Sequence, residues 1–346
     1  MSLHKKFAVA LLSVMAFVFI MPANSSALLI WRRGEGWSWE HEGVTTGTNP
    51  ADQLKIAQDL QAKKQYRNAL PAYRRVVSRW PLSASAQDAR LGEAECYSAI
   101  GYHYKAFQVY QELIKKHPNT PHFDTVLQRE FEIGNLFLAG ERQKAWGIRW
   151  LPSLDRCVEV YEQVVKNGPY SSVAPESQFR IGLAYEKQRD YLAAVHAYEK
   201  LLERYPKLPL AEDAQFQIGW EYKLESARAE YDQNAANQAI AAFTDFLLRY
   251  PRSDKVPVAE KYQVELKGDQ ARGLFQIGQF YEKNHHYKSA LIYYSDVIEK
   301  NPESNWATHA KDKVAKLTPL AVEKAAPFTP LPPEPEKPDT GKTATP

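Results

Sequence analysis

Small and aromatic residues return along this chain in a fixed order. Ala69, Ala106, Cys157, Ala194, Ala239 and Ala290 are each followed, four residues later, by Tyr73, Tyr110, Tyr161, Tyr198, Phe243 and Tyr294. Eight residues beyond each aromatic stands a proline: Pro81, Pro118, Pro169, Pro206, Pro251 and Pro302. Upstream, Ala94, Gly182 and Gly278 lie twelve residues before the small position, with Tyr97, Tyr185 and Tyr281 nine before it. Ala57 and Leu60 take the same two places in the first repeat. Steps of three and four put side chains on one face of an α-helix. The nine-residue step crosses a turn, marked by Lys187–Asp190 and Lys283–His286, and proline stops the second helix. The pattern therefore predicts six antiparallel helix pairs, A and B, held close where Gly or Ala faces Ala.

Insertions interrupt the register at readable places. Repeat three keeps Gly134 and Phe137, then inserts Ala145-Trp146-Gly147-Ile148-Arg149-Trp150-Leu151-Pro152 before Cys157. Repeat five keeps Gly219 and Tyr222, then a run from Leu224 to Gln233 without Gly or Pro, which reads as a prolonged helix. Repeat six opens with Val258–Lys283, a single long helix with Gly268 and Gly273 as weak points. Trp306–Leu317, with Lys311, Lys313 and Lys316, reads as a polar capping helix. One such repeat cannot bury its own apolar face, so stability has to come from stacking.

The order of residue classes resembles the tetratricopeptide repeat, over residues 51 to about 303. That resemblance implies an all-α fold: a tetratricopeptide-repeat α-solenoid of about six helical hairpins with a C-terminal capping helix, spanning 51–318. One departure is regular. Where the family often has Ala seven residues after the helix-B small position, this chain has Val76, Leu113, Val164, Leu201, Phe246 and Val297, which should widen the hairpin spacing. Helix A lines the concave face in such arrays. The implied partner-binding groove holds Glu95 and Ser98, Asn135 and Leu138, Leu183 and Glu186, Trp220 and Lys223, and Gln279 and Glu282. Some tetratricopeptide domains clamp a C-terminal carboxylate with Lys and Asn at these sites. Phe131, Phe179, Phe216 and Phe275 stand where a clamp lysine would be, so a mixed groove for an extended peptide is expected instead. Trp220 is the natural anchor candidate, unless it packs only within its own repeat.

The segments outside the array speak of compartment. His4-Lys5-Lys6, the apolar run Phe7–Ile20 and Ser25-Ser26-Ala27 have the three parts of a secretory signal peptide, read here as 1–27. The run falls short of the ~20 residues that span a bilayer. Residues 28–50 form a Trp-rich segment in which Trp31, Trp37 and Trp39 could touch a membrane surface or a partner, or cover the first hairpin. Residues 319–346 form a Pro-rich tail of disordered or polyproline character.

Chemistry is hard to find. No dinucleotide fingerprint, P-loop, zinc-protease pair or nucleophile elbow occurs. His285-His286 lacks a third ligand nearby, and the two cysteines, Cys96 and Cys157, have no zinc spacing. With 44 basic and 41 acidic residues there is no dominant basic stripe for nucleic acid. Neither an enzyme nor a cofactor is expected.

A narrower resemblance rests on Ala239-Ile240-Ala241-Ala242-Phe243-Thr244-Asp245-Phe246-Leu247-Leu248-Arg249-Tyr250-Pro251-Arg252-Ser253 and on Gly278-Gln279-Phe280-Tyr281 followed by Tyr287-Lys288-Ser289-Ala290. These resemble repeats of the BamD-type lipoproteins of the outer-membrane β-barrel assembly machinery, as do His117-Pro118-Asn119-Thr120-Pro121 and the Trp-Gly insertion. The resemblance implies a periplasmic scaffold at the inner face of the outer membrane. Its implied partners are a barrel insertase carrying POTRA domains and unfolded barrel precursors. Two departures stand against it: six repeats where the family typically has five, and no cysteine between Met1 and Tyr66 to carry a lipid. Membrane association would then be indirect or through the N-terminus. A periplasmic coordinator of the Tol–Pal system or of cell-wall synthesis shares the same repeat class and is the competing expectation.

Overall fold

The computed structural model describes residues 27–32, 36–41, 46–140, 143–145, 148–151, 154–228 and 233–323. Residues 1–26 of the expected signal peptide and 324–346 of the Pro-rich tail lie outside the described residues. Among the described residues thirteen helices carry the fold. Two compact bodies divide the chain at Tyr205/Pro206.

The first body contains four hairpins: α1 (Pro50–Ala62) with α2 (Tyr66–Arg79), α3 (Ala84–Ala99) with α4 (His103–Lys116), α5 (Phe123–Leu138) with α6 (Leu154–Asn167), and α7 (Ala174–Gln188) with α8 (Tyr191–Arg204). Each helix packs on the next, and α1 also touches α3. The second body contains α9 (Leu210–Arg228) with α10 (Gln233–Arg249), α11 (Val256–Lys283) with α12 (Tyr287–Lys300), and α13 (Asn305–Glu323), which packs on α11 and α12 as the cap. The run after Leu224 prolongs α9 to Arg228; residues 229–232 lie outside the described residues. Helix α11 passes without a break through Gly268 and Gly273.

Every B helix ends two residues before its register proline, at Arg79, Lys116, Asn167, Arg204, Arg249 and Lys300. The residue before a proline is pushed out of the helical region, which fixes that stop. The opposite turns, from A to B, carry a left-handed residue: Lys64, Gly101, Gly140, Arg189 and His285 have φ of 58°, 80°, 94°, 61° and 60°.

The register forms the core. The six small helix-B residues are fully buried, as are Tyr110, Tyr161, Tyr198, Phe243 and Tyr294. Glycine on helix A is a matter of space: a Cβ at Gly134, Gly182, Gly219 or Gly278 would meet the ring of Tyr161, Tyr198, Phe243 or Tyr294 at 2.4–2.7 Å. Between repeats, Gly92 receives Tyr73 in the same way. The four phenylalanines that replace a clamp lysine pack on those rings, with centroid distances of 5.9 Å (Phe131–Tyr161), 5.2 Å (Phe179–Tyr198), 5.7 Å (Phe216–Phe243) and 5.1 Å (Phe275–Tyr294). The bulky residues at the family's Ala position, Val76 through Val297, are fully buried.

A second buried register runs four residues before the helix-A small position. Gln53, Gln178 and Gln215 each donate a side-chain amide to the backbone carbonyl of Ala72, Ala197 or Ala242 on helix B, at 3.3, 2.8 and 3.4 Å. These bonds tie A to B where the aromatics cannot, since a buried amide without a partner costs free energy. Repeat three has Glu130 there, fully buried.

Among the described residues two antiparallel β hairpins accompany the helices. β1 (Ala27–Arg32) pairs with β2 (Gly36–His41), setting Trp31 opposite Trp37 and Leu29 opposite Trp39. β3 (Gln143–Ala145) and β4 (Ile148–Leu151) form the insertion of repeat three. Among the described residues no helix is long and apolar enough to cross a membrane.

Candidate peptide-binding cleft

The expected groove residues lie in both bodies. In the first, a cleft of about 370 Å³ opens across α1, α3 and α5. Glu95 and Ser98, expected from the register, line it together with Gln61, Arg129, Glu132 and Leu136. Gln61 donates its amide to Glu95 at 2.8 Å, and Arg129 pairs with Glu132 at 3.0 Å. Leu136 is an exposed apolar side chain at its edge. The cleft thus offers hydrogen-bonding carboxylates, one guanidinium already bridged to Glu132 and an apolar contact. A free C-terminal carboxylate would meet Glu95 and Glu132 there and be repelled, in keeping with the missing clamp lysine.

Within their own hairpins, helix-B tyrosines reach the helix-A groove positions from inside. Tyr73 donates its hydroxyl to Gln61, Tyr161 to Asn135 Oδ1 at 2.6 Å, and in the second body Tyr294 to Glu282 Oε2 at 2.6 Å. Each acceptor sits one or four residues after the helix-A small position, at the places named for the groove. The rings fill the A–B gap, while the hydroxyls emerge among polar groups. Burial raises the pKa of all three phenols, keeping them protonated donors.

The remaining expected residues are separate. Leu183 and Glu186 are half-buried on α7 and do not line this cleft. In the second body Trp220 is half-buried, its ring 5.3 Å from Tyr262 of α11. Lys223 lies over both rings, at 5.6 and 4.8 Å, and pairs with Glu265 at 3.3 Å. Trp220 therefore stacks on the next repeat. Gln279 is exposed on α11, and Glu282 also accepts Lys313 Nζ of the cap at 2.9 Å. Those hydrogen bonds outweigh burial, and the pKa of Glu282 is lowered. For Trp31, Trp37 and Trp39 the structure gives strand register alone.

Sequence reasoning missed Gln61, Arg129 and Glu132. Gln61 was within reach, since it stands four residues after Ala57, the offset that named Ser98. Arg129 and Glu132 reach the cleft from flanking positions of α5 that the register does not mark. Cys96 and Cys157 are free and buried, and burial pushes each thiol up to about 12. Among the described residues no group of three metal-ligating side chains converges.

Comparison with known families agrees with this architecture. Residues 153–324 match the outer membrane lipoprotein family YfiO, and residues 54–121 match a tetratricopeptide repeat family. No curated protein matches the chain. Similar solved structures include the C-terminal part of a TPR repeat-containing protein from Cytophaga hutchinsonii, at 16% identity over 77% of this chain and 88% of that one, with TM-score 0.34. A tetratricopeptide repeat protein from Parabacteroides merdae is similar at 14% identity over 79% of this chain and 99% of that one, with TM-score 0.33. The chain combines a tetratricopeptide-repeat region, residues 54–121, with a region similar to the YfiO (BamD-type) outer membrane lipoproteins, residues 153–324, and both are protein-interaction modules.

Proposed function

We propose that this protein is a non-enzymatic periplasmic scaffold at the inner face of the outer membrane, serving β-barrel protein assembly. The observation that carries this reading is the YfiO match over residues 153–324. An A-helix cleft suited to an extended segment precedes that match in the chain. In this reading Glu95, Gln61 and Ser98 hydrogen-bond the backbone or polar side chains of an unfolded barrel precursor. Asn135, Leu183, Glu186, Trp220, Lys223, Gln279 and Glu282 are the further helix-A positions assigned to partner contact in this reading, with Gln279 the exposed one. A POTRA-bearing insertase is the docking partner, and Trp31, Trp37 and Trp39 supply an N-terminal contact. Export through residues 1–27 brings the chain to that compartment.

The test is affinity purification of the tagged full chain from detergent-solubilised envelopes, with bound proteins identified by mass spectrometry. Stoichiometric recovery of a POTRA-bearing barrel is expected. Recovery of Tol–Pal components or cell-wall enzymes without any barrel would replace this reading with the coordinator role.

A further inference from the structure

A second cleft in the first body shares no lining residue with the first. It measures about 710 Å³ and lies between α6 and α8, the B helices of repeats three and four, with α7 beneath. Both B helices pack on α7. Val165, Ile181 and Ala197 close its bottom, each less than 5% exposed, and Tyr185 and Ala193 are half-buried along its walls.

The rim differs in charge from the first cleft. Lys166 on α6 faces Lys200 and Arg204 on α8, all three exposed, while Glu162 is the one carboxylate in the lining. Some cations of this body pair with carboxylates, as Arg74 does with Glu93, Arg90 with Glu112 and Arg156 with Glu159. Among the described residues no ion pair or hydrogen bond engages the side chains of Lys166, Lys200 or Arg204. His196, also on the rim, contacts Glu199 at 3.1 Å. Three unpaired cations gather around one trough of mixed polar and apolar lining, and none of them holds the fold, since α6, α7 and α8 are held by their buried registers.

We propose that the α6–α7–α8 cleft docks an acidic amphipathic helix of a partner protein. Parallel B helices flanking a third leave a trough of the kind into which a helix lays one apolar face, and the volume lies within the usual range for binding clefts. The row of cations matches carboxylates flanking that face. A flat anionic bilayer would meet Lys200 and Arg204 but could not reach Ile181 or Ala197 at the bottom, so a protruding helix fits better than a membrane.

The test uses the full chain and two synthetic helical peptides of roughly 18 residues, long enough to hold helix in water. One has Leu at i, i+3, i+4 and i+7 with Glu on both flanks; its counterpart carries Lys for every Glu. Fluorescence anisotropy should show the acidic peptide binding, weakening with salt as exposed charge pairs do, and the basic peptide failing. The double variant K200E/R204E should lose about tenfold in affinity with an unchanged melting temperature. Glu95→Gln, in the other cleft, should leave this binding as it is. Equal binding of both peptides, failure of the acidic peptide, or full affinity in K200E/R204E would overturn the proposal. Binding of the wild type to phosphatidylglycerol vesicles but to neither peptide would overturn it in favour of a lipid surface.

Discussion

Gln178 on α7 donates its side-chain amide to the carbonyl of Ala197 on α8 at 2.8 Å, and both residues are buried. The same bond recurs from Gln53 to Ala72 and from Gln215 to Ala242. In these three repeats the slot holds a donor, whereas in repeat six it holds the apolar Leu274. In repeat three it holds Glu130, whose Oε1 accepts the Gln111 amide at 2.7 Å while the buried Oε2 has no hydrogen-bond partner. The equivalent helix-B carbonyl is that of Val160, to which a protonated Glu130 can donate as the glutamines do.

Glu130 thus makes a pH prediction. Burial pushes its carboxyl up to about 8, against the lowering effect of Gln111. A raised folded-state value means that stability is full below the unfolded value near 4.5 and falls as pH rises toward 8. Glu130→Gln supplies the donor without an ionisation. It should stabilise the protein by about 3 kcal/mol at pH 7 and flatten the fall in urea midpoint between pH 5 and 8. A variant that melts with the wild type's pH dependence would show that Glu130 is already ionised in the fold.

Two glycines of one helix should respond oppositely to alanine. At Gly268, in α11, a Cβ meets nothing within 4 Å, so Gly268→Ala should gain about 1 kcal/mol from helix propensity alone. At Gly278, ten residues on, a Cβ would stand 2.7 Å from Cε1 of Tyr294. Overpacking there costs roughly 1–3 kcal/mol, and Gly278→Ala should be net destabilising. Chemical denaturation of the pair checks both signs.

That contrast shows what was legible in the chain and what was not. Gly278 was named because its offset from Ala290 and Tyr294 repeats, and the repetition exists because a flat ring needs a missing side chain opposite it. The glutamine slot repeats too, but glutamine ordinarily marks a helix surface, so the residue type of Gln53, Gln178 and Gln215 does not announce their burial. The β3–β4 hairpin has strands of three and four residues, too short for a two-residue alternation to stand out. Within the cleft, Glu95 followed from the register, whereas Arg129 and Glu132 depend on how α5 rotates against α3. No periodicity in a single helix records that rotation.

The cap is secured by charge. Glu282 holds the Tyr294 hydroxyl and Lys313 of α13 together, and these bonds lower its pKa although burial alone would raise it. A lowered value contributes stability above the unfolded pKa, and that contribution is lost as pH falls through the folded one. Tyr294→Phe should cost about 1 kcal/mol at neutral pH, and Glu282→Gln should remove the acid-side loss. Thermal melts at neutral pH and at about pH 4 separate the two.

The cysteines offer a last check on the packing. Cys157 occupies the helix-B small position that is alanine in the other five repeats, and its Sγ lies 3.6 Å from the carbonyl oxygen of Gly134. Because the thiolate is the reactive form, a thiol buried and pushed up to about 12 should resist an aromatic disulfide reagent at neutral pH. Cys96, equally buried and raised, should behave alike. Both thiols should titrate only when the chain unfolds, with a rate that follows denaturant. Cys157→Ala should fold normally and change stability by less than about 1 kcal/mol, since a neighbouring repeat accepts alanine in the same geometry. Rapid labelling of one thiol in the native protein would mean that its repeat opens locally, and the labelled residue would say which hairpin does so.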